Sequence, residues 1–151
     1  MRPNGHGGGP GLRPRKKGRR SMKLSGFLIV AKDAGAAAEY YRDLFGLETL
    51  ADNGGNMVLS GGLVLQEEKY WRGFLGRDVL PRNNACELYF EEQDVDAFYE
   101  RLLALYPETE FVNLPMTHAW GQRVVRFYDP DGNLIEVGSP MPAPVPGPEP
   151  K

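Results

Sequence analysis

The sequence contains one internal repeat, and this repeat restricts the folds that the chain can adopt. Two segments align at an offset of 61 residues: GFLIVAKDAGAAAEYYRDLFGLE, starting at Gly26, and ELYFEEQDVDAFYERLLALYPE, starting at Glu87. Each copy has a short apolar strand, an aspartate suited to helix capping and an amphipathic helix. The first helix is predicted over residues 34–45, before Gly46, and the second over residues 95–106, before Pro107. Two similar units around one core are therefore expected.

A hairpin follows each predicted helix. In the first copy, the strands NMVLS and LVLQEE are joined through Gly61 and Gly62; in the second, RVVRFY and LIEV are joined by the turn DPDGN. The segments ETLAD and EFVNL supply one further strand each. Each copy is thus predicted to be a βαβββ module, with module one over residues 22–70 and module two over residues 84–139. Two such modules predict an α+β fold with the helices on one side of the sheet.

The composition of the two ends differs from that of the body. Residues 1–21 contain seven basic residues, no acidic residue and few apolar ones, which predicts a disordered basic tail. This tail is interpreted as a solvated end, as sequence upstream of a true start at Met22, or as a nucleic-acid or targeting arm. Residues 140–151 have proline at alternate positions, which favours polyproline II and predicts a disordered tail. A single domain is expected over residues 22–139.

Charge and cysteine content exclude several classes of protein. Beyond residue 21 the chain has 11 basic and 20 acidic residues, and this net charge of −9 argues against nucleic-acid binding by the folded part. No apolar run is long enough to cross a membrane. The single cysteine, Cys86, excludes an internal disulfide framework and favours a reducing cytoplasm. Because Cys86 shares the strand phase of Leu88, we expect a packed thiol.

Strand alternation places an unusual set of side chains on the face opposite the helices. Glu87 and Glu136 project there, because their apolar neighbours must meet the helices. Glu136 has two further interpretations: a solvated acid near a strand end, or a partner of Arg126 across the hairpin. A mostly apolar face with a few polar groups is typical of a ligand-binding concavity. The same face carries Leu28, Val64, Gln66, Tyr89 and Leu134.

Three segments together resemble the vicinal oxygen chelate superfamily, which includes glyoxalase I, extradiol dioxygenases and the fosfomycin- and bleomycin-resistance proteins. They are YYRDLFGLE, ELYFEEQDVDAFYERL and WGQRVVRFYDPDGNLIEV, and the resemblance covers residues 22–139. It implies a U-shaped mixed sheet built from paired βαβββ modules, with the helices on the outer face. It also implies a homodimer that binds a small molecule within the concavity.

The resemblance also implies positions for a metal site. Metal-dependent members take one ligand from the first and one from the last strand of each module, and these positions fall on Gly26, Gln66, Glu87 and Glu136. Gly26 has no side chain, so three oxygen donors remain, which could hold a divalent cation such as Mg²⁺, Mn²⁺, Ni²⁺ or Zn²⁺.

Two functions follow from these residues. The first is metal-free binding of a small molecule, as in the bleomycin-resistance branch. The second is a divalent-metal-dependent lyase of the glyoxalase type that uses Gln66, Glu87 and Glu136, with Glu136 or Glu87 as the catalytic acid or base.

Other residues are candidates for contact with a ligand. His118 is interpreted as a group at the pocket rim or as a loop residue. Trp71 could line the pocket, contact a second subunit or pack in the core. Arg123 is expected on the helix side of the sheet. The predicted ligand contacts are Leu28, Val64, Tyr89, Trp120 and Arg126.

Overall fold

The computed structural model describes residues 21–142, and the repeat forms two βαβββ modules in it. The predicted tails lie, except at their inner ends, outside these residues. Module one comprises β1 (Phe27–Ala31), α1 (Ala34–Phe45), β2 (Thr49–Asp52), β3 (Asn56–Leu59) and β4 (Leu63–Glu67). A linker with the short helix α2 (Glu68–Leu75) follows. Module two comprises β5 (Leu88–Glu91), α3 (Val95–Leu105), β6 (Phe111–Thr117), β7 (Arg123–Tyr128) and β8 (Leu134–Gly138).

The two sheets have the same topology. Their strand orders are β1-β4-β3-β2 and β5-β8-β7-β6, and only the pairs β1/β4 and β5/β8 are parallel. The strands β1 and β5 each form one edge of their sheet, so the two modules meet along a seam rather than through a continuous ladder. The predicted α+β fold with two βαβββ modules is confirmed.

The ends of the helices follow from local chemistry. Asp33 accepts a hydrogen bond from the Ala36 backbone N–H at 3.0 Å, and Asp94 accepts one from that of Ala97 at 2.9 Å. After α1, Gly46 adopts a φ of 68°, in the left-handed region that ends many helices. The first predicted helix has the observed bounds, whereas α3 ends one residue earlier than expected, at Leu105.

The two modules share one hydrophobic core. Helix α1 buries Tyr41 and Leu44, and α3 buries Phe98 and Leu102. Aromatic rings from both modules meet there: the rings of Phe45 and Phe90 stack with centroids 4.0 Å apart. Neither module therefore buries its helix alone.

Asp129, the first residue of the DPDGN turn, ties the modules together. Its buried carboxylate accepts a 2.6 Å hydrogen bond from the Tyr41 hydroxyl and bonds from the backbone N–H groups of Asp131 and Asn133 at 2.9 Å each. The Asn133 amide donates to the Val30 carbonyl at 3.1 Å. The backbone N–H of Lys32 donates to Asp131 at 2.9 Å. These bonds fix the turn of module two against β1.

Two expectations about the linker region need correction. Cys86 is exposed rather than packed, because it precedes β5 in the linker and does not take the alternation of that strand. Helix α2 was not expected at all. The spacing of Tyr70, Trp71, Phe74 and Leu75 is that of an amphipathic helix, although none of the residues of α2 is fully buried.

Among residues 21–142, every helix is too short or too polar to cross a membrane.

The Tyr41–Asp129 bond predicts a measurable loss of stability. Burial and the charge of Asp129 raise the pKa of the Tyr41 hydroxyl, which therefore keeps its proton and donates. Tyr41→Phe should lower the free energy of unfolding by about 1.5–3 kcal/mol, the range for a hydrogen bond to a charged group. Denaturant unfolding followed by circular dichroism measures this change.

Tyr40→Phe is the matched control, because it removes a hydroxyl from the next residue of the same helix. The buried Tyr40 hydroxyl has no hydrogen-bond partner among the described residues, so this substitution should leave stability unchanged or raise it. Equal losses in the two variants would contradict the role given to Asp129.

Candidate functional site

The strand registers decide which residues occupy equivalent positions in the two modules. In module one Leu28 lies opposite Val64, and in module two Tyr89 lies opposite Glu136. Since Leu28 aligns with Tyr89 in the repeat, Val64 is the counterpart of Glu136. Gln66 lies two residues further on, opposite Val30. The placement of Gln66 as the counterpart of Glu136 is therefore wrong.

Gln66 has local partners that account for its polar side chain. It is buried, and its oxygen accepts a hydrogen bond from the Asn56 side chain at 2.9 Å. Its nitrogen donates to the Gly55 carbonyl at 3.3 Å. Gln66 thus stabilises the turn between β2 and β3, and both the oxygen and the nitrogen of its side-chain amide are hydrogen-bonded.

In module one, the sheet face opposite the helices is apolar where β1 meets module two. Gly26 immediately precedes β1, as Glu87 immediately precedes β5. A Cβ atom at Gly26 would lie 3.0 Å from the Gly62 carbonyl oxygen and 3.5 Å from a methyl group of Val64. The backbone approach leaves little room for a side chain there, and Val64 offers no donor atom.

The module-two half carries an ion pair. Glu136 is only 8% exposed, and its carboxylate lies 2.6 Å from the Arg126 guanidinium. Arg126 also donates to the Asn113 side-chain oxygen at 3.1 Å and lies 3.2 Å from Nε2 of His118. One arginine therefore compensates the Glu136 charge and is itself held by two further side chains.

Glu87 lies beside this pair but has a different electrostatic environment. Partial burial, a hydrogen bond to Glu136 and the negative charge of Glu136 raise the pKa of the Glu87 carboxyl, and the charge of Arg126 opposes this shift. Glu87 forms no ion pair within 4.0 Å with any described cationic side chain. Arg126 thus pairs with Glu136, and it acts on Glu87 only through its charge.

Aromatic side chains lie next to Arg126, on the side of His118. The rings of His118 and Trp120 stack with centroids 4.0 Å apart, and Trp120 is 54% exposed. The Trp120 indole donates to Gln122 at 3.1 Å, and the Gln122 amide donates to the Tyr89 hydroxyl at 2.8 Å. This network brings together three of the predicted ligand contacts: Tyr89 and Trp120 at its ends, and Arg126 through His118.

A cavity of about 250 Å³ lies at the seam, under the linker; we call it the linker cavity. Its apolar wall comes from both modules, from α2 and from the linker. Of the predicted ligand contacts only Leu28 lines this cavity, whereas Val64, Tyr89, Trp120 and Arg126 lie outside its lining. Its lining includes the side chains of Leu28, Val30, Trp71, Leu80, Glu87 and Leu134, together with the carboxyl groups of Asp78 and Asp131.

The linker contribution could not be read from the sequence. Arg82 in the linker donates its backbone N–H to the Gly132 carbonyl at 2.9 Å, and Asn84 accepts from the Tyr128 hydroxyl at 2.6 Å. Both residues adopt a positive φ, which is uncommon outside glycine. These contacts hold the linker over the cavity. The sequence indicates a contribution of this region to a pocket only through Trp71, for which a place in the pocket wall is one of three interpretations.

The donor set does not fit the metal site that the resemblance implies. Within residues 21–142, no three His, Cys, Asp or Glu side chains are grouped closely enough to hold a metal ion. Two of the four repeated positions, Gly26 and Val64, provide no ligand atom. Glu136, at a third position, is already bound to Arg126. Only Glu87 remains available.

Comparison with known proteins identifies the family. The glyoxalase-like domain family matches residues 24–142. The chain is similar to a protein of unknown function from Agrobacterium tumefaciens, with 30% identity, a TM-score of 0.67, and coverage of 81% of this chain and 97% of that one. No curated protein sequence matches.

Two more distant structures share the fold. One is a glyoxalase/bleomycin resistance protein/dioxygenase from Nocardioides, with 23% identity, a TM-score of 0.63 and coverage of 85% and 89%. The other is a genomically encoded fosfomycin resistance protein from Listeria monocytogenes, with 20% identity, a TM-score of 0.63 and coverage of 81% and 96%. The chain belongs to the glyoxalase-like domain family of the vicinal oxygen chelate superfamily.

The Arg126–Glu136 pair predicts a large effect of breaking it. Arg126→Met leaves the nearly buried Glu136 carboxylate without a cation and should lower the free energy of unfolding by about 3 kcal/mol. The double variant Arg126→Met/Glu136→Gln removes the unpaired charge and should regain most of this loss. Denaturant unfolding at pH 7 measures both variants.

Arg123→Met is the control on the same strand. Arg123 pairs at 2.7 Å with Asp96 of α3, on the helix side of the sheet, and both side chains are more than one-third exposed. Removing an exposed pair should change stability by at most about 1 kcal/mol. A similar loss in Arg126→Met and Arg123→Met would contradict the burial argument.

Proposed function

We propose that this protein binds a small molecule in the linker cavity without using a metal ion. The observation that carries the proposal is the cavity itself: its wall combines polar and apolar surface in about equal measure, and both modules and the linker build it. Concave sites that offer both apolar surface and placed polar groups are the usual binding sites for small ligands. Its volume of about 250 Å³ suits a compact organic molecule better than a long chain.

Two of the four positions that would have to ligate a metal ion carry no ligand atom, and this supports binding without a metal ion. A glyoxalase-type lyase needs a cation that polarises adjacent oxygens of its substrate. Gly26 and Val64 cannot ligate a cation, and Arg126 competes for Glu136 at 2.6 Å. Without Gln66 at the fourth position, the lyase alternative has two carboxylates at most, and one of them is neutralised.

We also propose that the chain acts as a homodimer in the cytoplasm. Phe74 of α2 and Leu80 of the linker are 73% and 69% exposed, which gives an apolar surface for a second copy. The free, exposed thiol of Cys86 suits a reducing compartment. A monomer in sedimentation analysis of the full chain would overturn the dimer without affecting the cavity.

Blocking the cavity tests the proposed function. The probe is 2-phenylethanol, a neutral molecule with one ring, and its binding is followed by saturation-transfer NMR. Leu28→Trp fills the cavity from β1 and should weaken probe binding at least roughly tenfold, which is about 1.4 kcal/mol.

Leu50→Trp is the control, because Leu50 is exposed on β2 and does not line the cavity. It should bind the probe like the unmodified chain. Circular dichroism must show that both variants are folded. A probe signal that Leu28→Trp retains as fully as Leu50→Trp would refute binding in this cavity.

A further inference from the structure

The charged groups of the linker cavity all have the same sign. Within residues 21–142, its lining includes the carboxyl groups of Asp78, Glu87 and Asp131, and no lysine, arginine or histidine. Asp78 is compensated, since it lies 2.6 Å from the Arg72 guanidinium at the surface. The charge that faces the cavity without a counter-ion is therefore carried by Glu87 and Asp131.

Neither of these two carboxyl groups has a cationic partner among the described residues. Arg126 is near Glu87, but its closest contact, at 2.6 Å, is with Glu136. Asp131 accepts the backbone N–H of Lys32 at 2.9 Å, and no ion pair within 4.0 Å joins it to the Lys32 ammonium. Both carboxyl groups therefore line the cavity without an ion-pair partner, although Glu87 also contacts the carboxyl group of Glu136.

The surroundings of both groups are more acidic than basic. Glu136 and Arg126 act on Glu87, while Asp129, Glu68 and Lys32 act on Asp131. Burial, followed by these acidic neighbours, raises the pKa of each carboxyl above its usual value, although the contacts with Arg126 and Lys32 oppose the shift. A positive group placed in the cavity would relieve this unfavourable accumulation of negative charge.

The rest of the wall determines what kind of cation fits. Leu28, Val30 and Leu134 provide aliphatic surface, and Trp71 provides an indole. A bare metal ion would keep its hydration shell against such a wall, whereas an organic ammonium can place its carbon atoms there. Indole is also the side chain that attracts an organic cation most strongly.

We propose that the ligand of the linker cavity is a small organic cation, an amine protonated at neutral pH, whose ammonium group pairs with Glu87 and Asp131 and whose apolar part lies against Trp71 and Leu28. This inference rests on the proposed function, because it names the ligand class of the same cavity.

Two isosteric probes test the charge separately from the cavity. The ammonium form of 2-phenylethylamine and the neutral 2-phenylethanol differ only in the terminal group. Titrations of the ¹⁵N-labelled full chain by NMR give both affinities. We expect the amine to bind about tenfold more tightly, the size of one charge-assisted hydrogen bond of about 1.4 kcal/mol.

Variants identify the residues responsible. Glu87→Gln, at an exposed position, should weaken amine binding roughly three- to tenfold and leave the alcohol unchanged, and Glu87→Gln/Asp131→Asn should remove the preference for the amine. Glu100→Gln is the control for total charge, since Glu100 is exposed on α3 and outside the cavity. It should bind both probes like the unmodified chain.

The outcomes separate the two proposals. If the alcohol binds as tightly as the amine, the ligand is not selected by charge, while the binding function of the cavity stands. If the amine preference persists in the double variant, or is lost equally in Glu100→Gln, the assignment to Glu87 and Asp131 is overturned. If neither probe binds the unmodified chain, both the inference and the proposed function fail.

Discussion

The buried carboxylate of Asp129 is the contact on which the rest of the structure depends. It accepts a hydrogen bond from the Tyr41 hydroxyl of module one. It also accepts hydrogen bonds from two backbone N–H groups of its own turn, so its donors are neutral groups. The turn is thereby held against β1, where Asn133 bonds the Val30 carbonyl. Because β1 and β5 are both sheet edges, no ladder of backbone hydrogen bonds among the described residues aligns the modules, and this turn does so instead. The linker cavity lies directly beside it.

The second constraint is the position of one arginine. Arg126 lies opposite Glu136 in the β7/β8 pair and compensates the charge of its carboxylate. The same arginine is held by Asn113 and contacts His118, so it is part of a packed network. Glu136 consequently has a structural partner, whereas Glu87, one residue before β5, has no ion-pair partner among the described residues.

The fold could be predicted because its signals are local. Asp33, Gly46 and Asp94 mark helix ends, the DPDGN turn marks the last hairpin, and the repeat makes each module support the interpretation of the other. Pairing of Arg126 with Glu136 was also within reach, since two adjacent strands joined by a short turn leave few possible registers.

The site was less predictable because it depends on contacts far apart in sequence. Gln66 was placed by counting along β4, but only the parallel register with β1 shows that Val64 is the residue opposite Leu28. The number of residues that separate the first strand from the last strand differs between the two modules, so the 61-residue offset does not extend to β4 and β8. Helix α2 and the linker cover the cavity through bonds of Arg82 and Asn84 to module two, and neither position has a sequence signature.

The most direct test of the central claim, that the concave site has no place for a metal ion, is a calorimetric titration of the chelator-treated full chain. Mn²⁺, Ni²⁺, Zn²⁺ and Mg²⁺ would each be added to the unmodified chain and to Glu136→Gln. We expect no stoichiometric binding that depends on Glu136. One metal ion bound per chain and lost in Glu136→Gln would contradict it, and would show that Arg126 yields Glu136 to a cation.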